Sequence, residues 1–300
     1  MDGNGAMSSD GNQKTPQMGQ ILHALEIVHN PRTSNSLRQE ASRYLEDVRS
    51  NEEAPYHGFG LASTKDQSAI VRHYGLSLLD YAIRHRWSDY TAEQSKQLRD
   101  WVLELAFGAH RQDPPYLKNK IAEAWVELAK RSWGVDWMDM DEALNGLWEG
   151  LFPQKMLALT ILEALSDEVF GTEDTVTALR GNELTKACVV IFTPVDVLSE
   201  EFPTRESSNI IRHVPDGWIS SLSLSLETFL REQAVDDDSQ FVAAKTLSAL
   251  RSIVTWAIPG ALVFARTVDR VCACLAVSEM SVQLVSMFPE SISLDSISNL

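Results

Sequence analysis

The sequence predicts an all-α protein, an α-solenoid of antiparallel helix pairs that forms a HEAT/armadillo-like superhelix. Apolar residues recur along the chain at the helical period, and short segments with Gly, Pro or acidic residues separate these stretches. Residues 219–227 come nearest to the alternation of a strand, and no longer alternating segment interrupts the helical pattern. The predicted pairs start near residues 17, 66, 115, 153 and 210, a spacing of roughly 40–50 residues that is typical of HEAT-like repeats.

The segment Leu117–Met140 shows the repeated unit most clearly. One stripe at helical spacing holds Ile121, Ala122, Trp125, Leu128 and Ala129. Gly134 then ends the helix, and a second helix is predicted to begin near Trp137. One such pair cannot cover its own apolar stripe, so each repeat buries that stripe against the next.

Five helix pairs and one last helix are predicted in this way. In chain order they are Gln17–His29 with Ser34–Ser50, Asp66–Arg84 with Thr91–Ala109, Pro115–Arg131 with Trp137–Trp148, Pro153–Phe170 with Thr175–Ile191, Ile210–Arg231 with Ser239–Ala257, and the single helix Leu262–Val277. Thr91 and Gln94 stand at capping-box spacing, and Pro153 suits a first helical turn.

Two segments are harder to interpret. Residues 54–63 (APYHGFGLAS) are rich in small and turn-forming residues and are predicted to be a loop. Residues 219–227 (ISSLSLSLE) alternate Ser and Leu, which is a strand signal. Strong helical patterns flank this second segment on both sides, and they favour a helix there.

The predicted organisation has four parts. Residues 1–15 form a disordered N-terminus, 16–192 the first HEAT repeats, 193–208 an acidic loop with two prolines, and 209–300 further repeats. No polar capping pair is evident at the end of the sequence. Because terminal repeats of a solenoid need a polar outer face, we expect these 300 residues to be the N-terminal part of a longer, C-terminally truncated array.

Acidic residues are concentrated in the second half of the chain. The net charge is −16, and residues 132–300 contain 10 Lys and Arg against 25 Asp and Glu, whereas residues 1–131 contain 16 against 17. Such an acidic half repels phosphate and is not expected to bind nucleic acid by itself. It suits a partner with a basic patch, or it simply keeps a long helical array soluble.

The sequence offers little for catalysis or for metal binding. Cys188, Cys272 and Cys274 predict buried thiols in a reducing compartment rather than a disulfide framework. The last two are two residues apart on a helix, so they point to different faces and cannot share a zinc ion. No nucleophile elbow, HExxH motif or nucleotide-binding loop is present, so neither an enzyme nor a cofactor is expected.

The absence of a secretory signal or an apolar span predicts a soluble intracellular protein.

Several conspicuous residues are expected to be structural. Trp125 lies on the apolar stripe and is predicted to be core, while Trp133 and Trp137 pin the turn between two helices. The basic residues of this helix are expected on a solvated face; they are Lys118, Lys120, Lys130 and Arg131. The acidic run 236–238 is interpreted as helix capping, because consecutive acids lack the spacing of a calcium loop.

Three sequence blocks carry a resemblance to a known family. They are residues 71–87 (VRHYGL, LDYAIR and RW), residues 117–137 (LKNKIA, LAKR and two tryptophans) and residues 178–194 (ALRGNELTKA and IFTP). The first two resemble repeats of exportins in the importin-β/karyopherin superfamily. The third is similar to the exportin-five branch and its fungal counterparts. The resemblance covers roughly residues 17–260.

The resemblance implies a binding protein of the nucleocytoplasmic transport system. Members of this family bind the GTP form of the GTPase Ran through their N-terminal repeats, here residues 16–192, and shuttle through the nuclear pore between nucleus and cytoplasm. Implied partners are Ran-GTP, nucleoporin FG repeats, and an export cargo of phosphorylated protein or structured small RNA. Most of the cargo surface is expected in C-terminal repeats that follow these residues.

The resemblance also places the Ran contacts on the second, concave helix of each predicted pair. The candidate contacts are charged and polar residues on the polar faces of three such helices, 34–50, 91–109 and 137–148. They are Arg38, Arg43, Glu46 and Asp47; Glu93, Lys96, Gln97, Arg99 and Asp100; and Asp139, Asp141 and Glu142. Two other functions stay open, a HEAT-repeat scaffold without a link to Ran and a solenoid that binds RNA.

Overall fold

Helices form nearly all of the regular structure in the computed structural model, which describes residues 18–171, 175–204, 209–232 and 236–276. These residues contain fourteen α-helices, one short 3-10 helix and no strand beyond an isolated bridge between Trp133 and Trp137. The all-α prediction is confirmed. The expected disordered residues 1–15 lie outside the described residues. None of the described helices has the length and apolarity that crossing a bilayer would require.

The chain divides into two compact units, Met1–Asp89 and Tyr90–Leu300. The first unit contains α1 (Met18–His29), α2 (Asn35–Arg49), α3 (Ala54–Ser63), α4 (Ala69–Arg86) and the 3-10 helix Trp87–Asp89. Helix α1 packs on α2, and α3 packs on α4. Short connections between packed neighbours give the helical hairpins of a repeat protein.

The core of the first unit joins all four helices. Its buried residues are aliphatic, and they are Ile21, Ala24, Leu25, Ala41, Leu45, Val48, Leu61 and Leu78. Tyr74 of α4 donates its hydroxyl to the Leu45 carbonyl of α2 at 2.9 Å, and burial raises the pKa of this phenol. The two helix pairs of this unit therefore share one core.

Helix α3 corrects the prediction of a loop at residues 54–63. Its buried residues are Ala54, Pro55, Gly58, Leu61 and Ala62, the same relative spacing as the stripe of Leu117–Met140. A Cβ atom at Gly58 would lie 2.9 Å from the Gly75 carbonyl oxygen of α4, and one at Gly75 would lie 2.6 Å from the Gly58 carbonyl oxygen. The glycines allow two helix backbones to approach closely, so here they indicate packing and not a turn.

The second unit holds ten α-helices in its described part. They are α5 (Ala92–Phe107), α6 (Pro115–Ser132), α7 (Met140–Trp148), α8 (Phe152–Phe170), α9 (Thr175–Phe192), α10 (Val195–Glu201), α11 (Gly217–Glu232), α12 (Asp237–Ile253), α13 (Pro259–Phe264) and α14 (Thr267–Ala276). Helix α8 packs against α6, α7, α9 and α12. Helix α11 in turn packs against α9, α12, α13 and α14.

The residues predicted to cap or begin helices do so in the structure. Thr91 and Gln94 form the capping box of α5, with Thr91 N donating to Gln94 Oε1 at 2.9 Å and Gln94 N to Thr91 Oγ1 at 3.3 Å. Pro153 occupies the first turn of α8. Asp236 caps α12 by accepting from Ser239 N at 2.9 Å, and the hydrogen bonds from Ser239 lower the pKa of that carboxyl. The Ser/Leu segment 219–227 is helical, within α11.

Several boundaries differ from the prediction. The helix predicted to begin at Ile210 begins only at Gly217, as α11. Helix α7 begins at Met140 and not near Trp137, because residues 133 and 137 first form their bridge around Gly134, whose φ is +77°. The expected acidic loop 193–208 contains helix α10. The expected last helix is divided into α13 and α14 by Arg266, which adopts a left-handed φ of 48°.

Candidate protein-interaction surfaces

The candidate residues on α2 lie in the first unit, and most are exposed. Arg43, Glu46 and Asp47 are exposed, and Glu46 pairs with Arg49 Nη1 at 3.2 Å. Arg38 is half-buried, and its Nη2 donates to the Asn30 carbonyl at 3.1 Å. Arg38 therefore holds the α1–α2 connection, and the other three candidates form a mixed-charge surface.

The candidates on α5 lie in the second unit. Four of them are exposed, namely Glu93, Lys96, Gln97 and Asp100. Lys96 Nζ and Asp100 Oδ2 form an ion pair at 2.6 Å. Arg99 is half-buried, donates from Nη1 to the Asp136 carbonyl at 2.7 Å, and lies over the Trp137 ring at 5.8 Å. Arg99 thus fixes α5 to the α6–α7 turn instead of reaching outward.

Asp141 cannot serve as a partner contact, which corrects one of the predicted candidates. Its side chain is fully buried, at 0% exposure. The carboxylate accepts from the main-chain N of His213 at 2.5 Å and of Val214 at 3.1 Å, and from Trp218 Nε1 at 2.6 Å. Its neighbours in the sequence, Asp139 and Glu142, are exposed. Asp141 therefore joins α7 to the start of α11.

The helix pairing also changes the basis of the predicted Ran surface. Because α3 is a helix that packs on α4, the packed pairs that follow α1 and α2 are α3 with α4 and α5 with α6. Helix α2 remains the second helix of its pair, whereas α5 is the first of its own. The resemblance places Ran on the second helix of each pair. It therefore supports Ran contacts on α2 but not on α5.

The basic end of α6 is buried, contrary to the expected solvated face. Lys130 is fully buried between two carboxylates, with Nζ 2.7 Å from Glu127 Oε1 and 2.9 Å from Glu168 Oε2. Arg131 is half-buried and also pairs with Glu127. Lys118 and Lys120 are half-buried too. Lys130 and Arg131 belong to a buried cluster with Glu127 and Glu168, and this gives their charges a structural role.

Two arginines join helix ends across the second unit, and the sequence analysis assigned them no role. Arg180 of α9 donates to the carbonyls of Lys130 and Trp133 at 2.7 and 2.6 Å, where α6 ends. Arg212 donates to the carbonyls of Val190 and Thr193, where α9 ends. The last carbonyls of a helix lack intrahelical partners, and a guanidinium can satisfy two of them at once.

The tryptophans of the α6–α7 turn match the prediction. Trp125 and Trp133 are buried, and the rings of Trp125 and Trp137 lie 5.3 Å apart. Among the described residues, no group of three or more His, Cys, Asp or Glu side chains could hold a metal ion.

The cysteines differ in exposure, and this gives a testable prediction. Cys188 and Cys274 are buried, whereas Cys272 is exposed, so the prediction of a buried thiol is wrong for Cys272. Burial raises the pKa of Cys188, and it raises the pKa of Cys274 to about 11. A raised pKa lowers the thiolate fraction at neutral pH, and the thiolate is the reactive form.

We therefore expect one of these three thiols to react quickly with a disulfide reagent at pH 7.5, and the Cys272→Ser variant to lack that fast phase. Time-resolved thiol titration with mass spectrometry measures this. Labelling of Cys188 in the folded chain at the rate of Cys272 would contradict the packing around α9.

The fold and the surfaces define a helical-repeat protein with exposed mixed-charge helix faces. The chain is similar to Protein MSN5 of Saccharomyces cerevisiae, with 30% identity over 271 residues that cover 86% of this chain and 22% of that protein. It is also similar to Exportin-5 of Homo sapiens, with 30% identity over 156 residues, 50% of this chain and 13% of the relative.

Exportin-T of Sclerotinia sclerotiorum is a further relative, with 28% identity over 160 residues, 50% of this chain and 16% of that protein. No protein-family model matches the chain. The chain is a homologue of the exportins, in the karyopherin family, as the sequence blocks predict. It spans 22% of the length of the yeast relative and smaller shares of the other two.

Proposed function

We propose that this chain is part of a nuclear export receptor that binds Ran-GTP and moves between nucleus and cytoplasm. The observation that carries the proposal is the 30% identity with Protein MSN5 over 86% of the chain. The packed helix pairs of both units are consistent with it, since exportins are built from such repeats. In this function the chain binds partners and performs no catalysis.

Helix α2 is the best-supported contact surface for Ran within this proposal. It is the second helix of the first pair, and Arg43, Glu46 and Asp47 are exposed on it. Charges of both signs in one interface set the register and the association rate more than the raw affinity. That suits a partner that must be released after each transport cycle. The other exposed candidates are Glu93, Lys96, Gln97 and Asp100 on α5, Asp139 just before α7, and Glu142 on α7.

Cargo and nucleoporin contacts belong to the same proposal. The cargo is a phosphorylated protein, a structured small RNA, or both, and we assign it mainly to repeats beyond this chain. Residues 132–300 contain 10 basic against 25 acidic residues, so they contribute little to RNA binding by themselves. FG repeats of nucleoporins are the partners that would allow passage through the pore.

Discrimination between the two nucleotide states of Ran tests the proposal. We expect the 300-residue chain to bind Ran loaded with a non-hydrolysable GTP analogue at least about tenfold more tightly than Ran-GDP, because GTP orders the switch loops that dock. The Arg43→Glu variant should weaken that binding by about tenfold, and the Arg32→Glu variant should not. Arg32 is a matched control, since it is exposed in the same unit and the charge change is equal.

Surface plasmon resonance with both forms of Ran measures these constants. Equal affinities for the GTP and GDP forms of Ran would favour a HEAT-repeat scaffold without a link to Ran. The RNA-binding alternative predicts tight binding of structured RNA without Ran, with an affinity that falls steeply as salt rises.

A further inference from the structure

We propose that a small pocket beside Gly134 binds a peptide segment of a partner protein that presents an aliphatic side chain next to a carboxylate. The pocket lies within the second unit and has a volume of about 260 Å³. The α6–α7 turn lines one side, α9 lines another, and Asn209 and Ile210 complete it. This inference does not depend on Ran binding.

A buried donor without an acceptor lies in the wall of this pocket. Trp133 is 1% exposed, and its indole Nε1 has no hydrogen-bond partner in the described part of the chain. Its main-chain carbonyl, in contrast, accepts from Arg180. A buried N–H without an acceptor is unfavourable, because it loses its hydrogen bond to water and gains none in the protein. A carbonyl or carboxylate oxygen of a bound peptide would supply the missing acceptor.

The charges that line the pocket favour an anionic group. Arg180 is occupied by the carbonyls of Lys130 and Trp133 and by Glu183, whose Oε2 lies 3.1 Å from Arg180 Nε. The negative charge of Glu183 is therefore offset by its ion pair with Arg180. Lys186 is exposed and forms no ion pair with another described residue, so it is available to a carboxylate.

The surroundings limit how acidic the partner can be. Residues 132–300 have a large excess of acidic residues, 25 against 10 basic. Their field repels a chain of phosphates or a run of acidic side chains. A single carboxylate that reaches Lys186 at close range avoids most of this repulsion, because the interaction decays with distance and with salt. The pocket therefore favours a peptide over a nucleic acid.

Apolar side chains line part of the pocket. Val135, Ala187 and Ile210 belong to its lining, and Val135 is 61% exposed. The segment that carries Ile210 is fixed at the turn, because Ile211 N donates to the Met138 carbonyl at 3.2 Å. An exposed aliphatic side chain in a concave site suits an aliphatic side chain of a bound peptide.

The test uses arrays of 12-residue peptides probed with the intact 300-residue chain. Peptides with a central Leu-Asp pair are compared with matched peptides that contain Leu-Asn, Leu-Lys or Gly-Asp. We expect the Leu-Asp set to bind and the Leu-Lys set not to bind. For the best peptide, we expect Lys186→Gln to weaken binding by about tenfold, a change typical of losing one charge-assisted contact. Lys65→Gln, at an exposed lysine of the first unit, should leave binding unchanged.

A spectroscopic signal locates the bound peptide independently of affinity. The indole N–H resonance of Trp133, assigned by its absence in Trp133→Phe, should move downfield when the peptide supplies an acceptor. Equal binding of the Leu-Asp and Leu-Lys sets, an unchanged affinity in Lys186→Gln, or a stationary Trp133 resonance would each overturn the inference. If the chain failed to bind Ran in the surface plasmon resonance experiment, the peptide-binding inference would still stand. The two proposals can therefore be overturned independently.

Discussion

Replacing Asp141 by alanine is expected to destabilise the second unit by about 3–5 kcal/mol, because it removes the acceptor of three hydrogen bonds in a fully buried site. The main-chain N–H groups of His213 and Val214 and the indole of Trp218 would all lose their partner. Urea denaturation followed by tryptophan fluorescence measures the free energy of unfolding.

Asp139→Ala is the matched control for this prediction. Asp139 lies two residues earlier, is exposed, and makes no side-chain capping hydrogen bond. We expect its replacement to change stability by no more than about 0.5 kcal/mol. An equal effect of the two substitutions would mean that Asp141 does not hold α7 to α11, and it would make Asp141 available again as a contact for a partner.

The second large effect is expected at the contact between α3 and α4. In Gly75→Ala, the new methyl group would lie 2.6 Å from the Gly58 carbonyl oxygen and 2.7 Å from Ala62 N. Both atoms are backbone and cannot rotate away, so the helices must separate. We expect a loss of roughly 2–3 kcal/mol in the stability of the first unit, as for an overpacked core. Amide hydrogen exchange of α3 and α4 measures it locally.

Gly19→Ala is the control for the glycine substitution. Gly19 lies on the exposed side of α1 in the same unit, and a Cβ atom there would meet nothing within 4 Å. Alanine has the higher helix propensity, so this variant should be as stable as the wild type or more stable by up to about 1 kcal/mol. If Gly75→Ala behaved like Gly19→Ala, the close approach of α3 and α4 would be wrong.

The apolar periodicity was sufficient to predict most of the helices, because amphipathic helices repeat their core contacts every three to four residues. It failed at residues 54–63 for a physical reason. Gly58 is a core position of α3, but glycine contributes no apolar side chain, so composition alone suggested a turn. Reading the spacing of Ala54, Pro55, Leu61 and Ala62 would have revealed the helix.

The surfaces were harder to predict than the helices. The sequence cannot show whether a charged residue at a helix end faces solvent or a carboxylate far along the chain. The sequence pattern predicts that Lys130 faces solvent, yet Lys130 pairs with Glu168, which is 38 residues away. Asp141 meets its partners more than 70 residues later. Such contacts depend on which helices become neighbours, and periodicity does not encode that.

The pocket beside Gly134 shows the same limit. The sequence predicts that Trp133 pins the turn, and the structure confirms it, but only the packed structure shows that its indole N–H lacks an acceptor among the described residues. Lys186 and Arg180 belong to one short segment, and only the structure shows that Arg180 is occupied while Lys186 is not paired with a described residue.

The joint made by Arg180 has a consequence for which residue can stand at that position. Its guanidinium donates from Nη1 to the Lys130 carbonyl and from Nη2 to the Trp133 carbonyl, and a guanidinium holds two such donors in one rigid plane. A lysine keeps the positive charge but ends in a single nitrogen on a flexible stem. Arginine and lysine are therefore not interchangeable at this helix end.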